Sequence, residues 1–181
     1  MNILEQLKTQ TREAHDSIEA KLNLMDPGMT EDKYKEILKG FFGFYATAEK
    51  CLREFSELYP EKKEKLSSLK RDLEFFDIKT QSLSALPPEK LSLHSKEEAL
   101  GLLYVIEGST LGGQVLSQHF REKFHFQPDQ GLDFFSGYGE RTMKVWQETR
   151  AQILACFEQE NLNPDKLIGQ REWPSTFLKH G

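Results

Sequence analysis

Cysteine is scarce in this chain: two residues among 181, Cys51 and Cys156, far apart and with no Cys-x-x-Cys. That spacing indicates neither a disulfide framework nor a zinc site, and fits two reduced thiols in a cytosolic interior. Long apolar runs are also lacking. The longest, Ala99 to Ile106, falls far short of the roughly 20 residues that span a bilayer. Met1 to Lys8 carries an acid at Glu5 and no apolar stretch, unlike a signal peptide. Positive charge is in deficit, with 24 Lys and Arg against 29 Asp and Glu and a formal net charge of -5. A duplex-binding protein usually needs the opposite balance. No Gly-x-Ser-x-Gly, Walker sequence or His-Glu-x-x-His occurs. The expectation is a soluble, cytoplasmic protein that engages neither nucleic acid nor membrane.

Aromatic residues, by contrast, are abundant. Thirteen Phe, five Tyr and two Trp sit in a chain of mean hydropathy -0.60. The length fits one domain, residues 1–181, in which folding buries roughly 70% of the unfolded surface.

Helical periodicity dominates, and no window alternates with period two over strand length. Leu4, Leu7, Thr11, Ala14, Ile18 and Leu22 recur at three- and four-residue steps, so Asn2 to about Leu22 reads as an amphipathic helix broken by Asp26-Pro-Gly28. Thr30 is placed to cap a second helix that closes at Tyr59-Pro60, and Glu61 to about Phe76 reads as a charge-laced third. A connection from Thr80 to Ser95 precedes a fourth helix, opened by the capping-box form Ser95-Lys-Glu-Glu98 and reaching about Phe120. Phe124 to Tyr138 is Gly- and Phe-rich without steady period. Glu140 to Glu160 is a strong helix, and Asn163-Pro164-Asp165 starts a last short one. The fold class is all-α.

Two of these helices carry the chemistry. On the first, Lys8, Arg12, His15 and Glu19 share one face at about 100° per residue. Two cations, an imidazole and a carboxylate in a column suit an anionic ligand with a metal, the carboxylate holding the second ring nitrogen. The same column also reads as a solvated face with i, i+4 ion pairs. On the fourth, Gly101, Gly108 and Gly112 share a face, with Gly113 adjoining. A helix-interior Gly costs about 1 kcal/mol relative to Ala, so the strip forgoes roughly 3–4 kcal/mol. With no preceding strand and Gly-x3-Gly-Gly spacing, it is not a dinucleotide fingerprint. Close helix packing or a flat ligand such as a porphyrin on bare backbone both remain.

Leu7-Lys-Thr-Gln-Thr-Arg-Glu-Ala-His15 with Glu19 resembles the proximal helix of the heme oxygenase family. Glu107-Gly-Ser-Thr-Leu-Gly-Gly-Gln-Val115 resembles its glycine-rich distal helix, in the form of the bacterial, biliverdin-producing branch, some of whose members accompany bacteriophytochromes. The resemblance implies a helical bundle that sandwiches heme between these helices. It implies His15 as axial ligand to the iron, Glu19 as the acceptor behind it, and Lys8 and Arg12 toward the propionates. Gly108, Gly112 and Gly113 would form the distal backbone, with Ser109 beside the bound oxygen. It also implies cleavage of heme to biliverdin, CO and ferrous iron, with O2 and electrons from ferredoxin or an NADPH-dependent reductase, and a bacteriophytochrome as recipient. Heme is then substrate and cofactor at once.

Two departures stand out. Many members carry Asp where this chain has Ser109, which can hold a water but brings no charge; a heme carrier without turnover is the alternative reading. Thr176-Phe177 resembles a pair in the family's final helix but follows Pro174, and Arg141, Lys144 and Arg150 are uncertain counterparts of its basic residues. Phe41, Phe42, Phe44, Phe134 and Phe135 are candidate pocket walls, with plain core packing as the alternative. His94, His119 and His125 read as surface or loop residues, and Lys62, Lys63, Lys65, Lys70 and Arg71 as a solvated basic patch.

Overall fold

A computed structural model describes residues 3–59, 65–85, 87, 91–127 and 130–167, except the side chains of Ala14 and Ile18. Among the described residues every regular element is helical. The first helix, α1 (Ile3–Leu22), buries Leu4 and Leu7 against the bundle, and Thr11, half-buried, returns its hydroxyl to the Leu7 carbonyl at 2.8 Å. Beyond Thr11, Leu22 of the expected stripe is half-buried, the side chains of Ala14 and Ile18 lie outside the described residues, and every described side chain from Arg12 to Lys21 is exposed.

Thr30 caps α2 (Glu31–Leu52), its hydroxyl accepting the Lys33 amide at 3.2 Å, and Glu31 and Asp32 sit in the first turn where a helix favours acids. The helix stops short of the expected Tyr59. A 3-10 turn at Arg53–Phe55 follows, and the Phe55 carbonyl accepts the amides of Leu58 and Tyr59, turning both side chains into the core. The third helix, α3, is described over Leu66–Phe75.

The 29-residue α4 (Lys96–Phe124) is opened by Ser95, which accepts the Glu98 amide at 3.3 Å. Its partner carboxylate departs from the capping-box pattern and accepts the His94 amide at 2.7 Å. The helix runs a turn past the expected Phe120, because Phe120 and Phe124 stack there with ring planes 10° apart, and it ends at His125 in a left-handed conformation. A short α5 (Asp133–Ser136) and a 3-10 turn at Gly139–Arg141 lead into α6 (Thr142–Glu160); Asn163 then caps the turn Pro164–Lys166 as its sequence predicts.

α4 is the centre of the bundle and packs against α6, α5, α1 and α2, while α3 leans on α2. By length and composition alone it is the one described helix that could cross a membrane, yet half of its apolar window is buried in the bundle, as in the core helix of a folded domain.

The aromatic surplus is spent largely on itself. The buried Tyr34 ring is surrounded by Phe76, Phe120, Phe124, Phe126 and Phe135 at centroid distances of 4.6–6.2 Å. Its hydroxyl donates to the Gly131 carbonyl at 2.6 Å, so the polar tip is satisfied too. Phe41 and Phe134 meet at 5.0 Å beside Phe135, and Phe42 and Phe44 are buried. Of the five residues expected as pocket walls, Phe42, Phe44 and Phe135 belong to the core, the alternative reading, while Phe41 and Phe134 pack against it half-buried.

Candidate functional site

On α1, Lys8, Arg12, His15 and Glu19 are all exposed. His15 Nδ1 lies 3.7 Å from Glu19 Oε1, and Arg12 Nε lies 3.8 Å from Asp16 Oδ2. The His15–Glu19 distance is longer than a hydrogen bond but puts the carboxylate on the Nδ1 side, which leaves Nε2 facing away and available to a metal. His15, Asp16 and Glu19 each bring a ligand atom within 4.8 Å of the others. The imidazole is 60% exposed, so a ligand would meet it without displacing packed side chains.

The glycine strip of α4 resolves into different tasks. Gly101 lies against the backbone carbonyl of Leu167, too close for any Cβ. A Cβ on Gly113 would come 2.7 Å from the Phe135 carbonyl, so this glycine lets α5 pack onto α4. Gly108 carries the Trp146 ring, whose nearest atom is 3.4 Å from a Cβ position. Gly112 meets no atom within 4 Å among the described residues. Close packing explains Gly101, Gly113 and much of Gly108, and leaves Gly112 without a packing reason for its helix cost of about 1 kcal/mol.

Ser109 and Gly112 are exposed together on α4, three residues apart and so on one side of the helix. Ser109 Oγ donates to the Ile106 carbonyl at 2.7 Å, and its hydroxyl also pairs with the buried Tyr45, whose pKa is raised by burial and pulled back by that hydrogen bond. A small hydroxyl, anchored from behind by a tyrosine, therefore stands beside bare backbone.

Behind the strip lies a buried polar network that the sequence did not reveal. Lys65, expected in a solvated patch, is 4% exposed. Its ammonium donates to both carboxylate oxygens of Glu107 at 3.3 Å and to the Tyr138 hydroxyl, while Tyr138 donates to Glu107 Oε1 at 2.9 Å. Glu49 Oε1 accepts the Leu66 amide at 3.0 Å and the Tyr59 hydroxyl at 3.2 Å. The correction has a physical reason: a buried carboxylate needs a counter-ion, and Lys65, at the N-terminus of α3, is the cation within its reach. Of the other residues in that patch, Lys70 and Arg71 are exposed, and Lys62 and Lys63 lie outside the described residues. A run of mixed charges does not mark which member turns inward. Asp72, also buried, accepts the amides of Asp133 and Phe134 at 2.8 and 2.9 Å and so holds α5; burial pushes its pKa up to about 7 against the pull of those two bonds.

His119 is corrected as well: it lies within α4, half-buried, with Nε2 sealed from solvent. His94 is exposed, as expected, near Ser92 Oγ at 3.0 Å. Arg141, in the turn before α6, and Lys144 and Arg150 on it are exposed, and Thr176-Phe177 lies outside the described residues. A cleft of about 470 Å³ lined by Ile3, Gln6, Leu154, Phe157 and Leu162 includes none of the candidate residues. The candidate surface is thus two open helix faces, one bearing His15 and Glu19, the other Ser109 and Gly112, on helices that pack together.

Comparison with known proteins bears on this arrangement. The family described as Heme oxygenase matches residues 1–163. Among solved structures, the heme oxygenase from Neisseria meningitidis, determined with NO and CO bound, is similar over 98% of this chain and 88% of its own, at 22% identity and a TM-score of 0.76. The heme oxygenase from Leptospira interrogans is similar over 98% of this chain and 96% of its own, at 19% identity and a TM-score of 0.78. No curated protein matches the sequence.

Proposed function

We propose that this chain, which belongs to the heme oxygenase family, opens heme oxidatively to biliverdin, CO and ferrous iron, using O2 and an external electron donor. The observation that carries the reading is Gly112. It is a helix-interior glycine whose bare backbone meets no atom of the described residues within 4 Å, although its neighbours in the strip are glycine for packing reasons. A flat ligand lying on it supplies the missing reason.

The chain's own groups suit heme as that ligand. His15 is an exposed imidazole with Glu19 on its Nδ1 side, the arrangement that leaves Nε2 to bind iron and favours one tautomer. Lys8 and Arg12, on the same face of α1, offer cations to the propionates. Ser109, held by Tyr45 and the Ile106 carbonyl, presents a hydroxyl that can hold a water where Asp stands in many relatives. Gly112 leaves bare backbone on the distal side, Gly108 one turn before it lies under the edge of the Trp146 ring, and Gly113 holds α4 to α5 behind them. Heme supplies the O2 chemistry from its own iron, and the protein supplies placement and a proton-holding hydroxyl. The reading brings with it a redox partner, ferredoxin or an NADPH-dependent reductase, a cytoplasmic setting, and a bacteriophytochrome as one recipient of product.

The test uses the full chain. Hemin added to the purified protein is expected to give a Soret band. A reductant system in air is then expected to remove that band as biliverdin absorbance grows. A ferrous oxygen complex that persists under electron supply would refute turnover and leave a heme carrier.

A further inference from the structure

Gly108 and Gly112 stand one turn apart on α4, about 6 Å along its axis, yet their surroundings differ. Among the described residues nothing lies within 4 Å of the Gly112 Cβ position, whereas the six-membered ring of Trp146 lies on Gly108, with three ring atoms 3.4–4.0 Å from its Cβ position. The indole is braced. Tyr104, a turn before Gly108, meets it at a centroid distance of 5.1 Å with planes 60° apart. Val145 and Thr149, buried on the same helix, fix the face that α6 turns inward. Trp146 itself is half-buried, and its ring stands at Gly108, one turn from Gly112. Ser109 and Gly112, the exposed residues of that strip, are too small to stop a large flat molecule from sliding along the helix. A rigid indole with two side-chain torsions can.

We propose that Trp146 is a positioning residue that determines specificity: it walls the strip at Gly108 and fixes how a flat macrocycle seats in its own plane over Gly112. The inference rests on the heme reading above and adds to it the residue that selects which edge of the ring lies deepest. Heme's two faces and unlike edges allow several seatings on a bare strip, and a wall on one side separates them. Trp146 takes part in no bond making or breaking.

The experiment reads seating without turnover. The ferric cyanide complex of the full chain with hemin is followed by proton NMR, in which the heme methyl resonances report each in-plane seating. The parent protein is expected to show one dominant seating. Trp146→Ala is expected to shift the seating ratio by roughly three- to tenfold, the worth of one aromatic contact, with Trp146→Phe between the two. Biliverdin isomers formed on turnover should change in parallel. Thermal unfolding of each variant checks the fold, and if Ala does not fold, Phe and Leu at this position carry the comparison. An unchanged seating ratio in folded variants overturns the role of Trp146 while leaving the heme reading intact. Absence of a hemin complex in the parent protein overturns both.

Discussion

Replacing Gly112 with Ala separates ligand space from packing space on one helix. At Gly112 a methyl group would meet no atom of the described residues within 4 Å. The change therefore gains helix propensity, about 1 kcal/mol, and is expected to raise the unfolding midpoint by roughly 2–4 °C in a chain of this size. Gly113→Ala gains the same propensity but drives its methyl to 2.7 Å from the Phe135 carbonyl, a backbone atom that cannot swing away. Overpacking of that kind costs roughly 1–3 kcal/mol, so the net effect runs from neutral to about 2 kcal/mol destabilising. Gly101→Ala should be worse, since Leu167 backbone already occupies the space. Urea unfolding with a constant m-value measures all three. Hemin titration then reads the other half: the methyl at Gly112 lifts a flat ligand off the backbone and should weaken binding or turnover at least about tenfold, the equivalent of roughly 1.4 kcal/mol. A Gly112→Ala protein that is more stable and binds and degrades heme as the parent does would refute the assignment of this open face to the ligand. A destabilised Gly112→Ala protein would refute the openness itself.

Two further outcomes follow from the buried polar groups. Lys65→Met leaves Glu107, fully buried, without its cation, and should cost about 3–5 kcal/mol in urea unfolding; adding Glu107→Met should restore part of that loss, and a single-variant cost below about 1 kcal/mol would contradict the network. Asp72 is raised from 3.8 to about 7, so the folded state holds a proton that the unfolded chain has already released between those values. Stability should therefore be fullest below about pH 4 and fall as pH rises toward 7, with a slope from this group of at most about 1.4 kcal/mol per pH unit. Asp72→Asn should flatten that fall while losing one of the two amide bonds that hold α5; an unaltered pH profile would show that Asp72 does not titrate there.

Local signals in the sequence are legible because they act over one turn. Thr30, Ser95 and Asn163 cap where their residue types place them, and the periodicity of Leu4 and Leu7 marks the buried face of α1. What could not be read depends on partners distant along the chain. Gly101, Gly108, Gly112 and Gly113 look alike in sequence, and only Leu167, Trp146 and Phe135 distinguish them. Lys65 sits among charges with nothing to mark that Glu107, 42 positions on, draws it inward. Phe135 turns toward Tyr34, and Phe41 and Phe134 toward each other, a choice set by how α2, α4 and α5 meet. The contact of Trp146 with Gly108 emerges only once α6 is laid on α4. Both motifs of the candidate site are local, so the sequence alone places His15 with Glu19 on α1 and Ser109 with Gly112 on α4, where all four are exposed.

The central claim is that His15 binds the iron of a heme seated on α4, and resonance Raman spectroscopy of the ferrous complex tests it most directly. The account predicts an iron–imidazole stretching band in the parent protein, its loss in His15→Ala, and its return when imidazole is added to that variant. The same band persisting in His15→Ala without added imidazole would contradict the account.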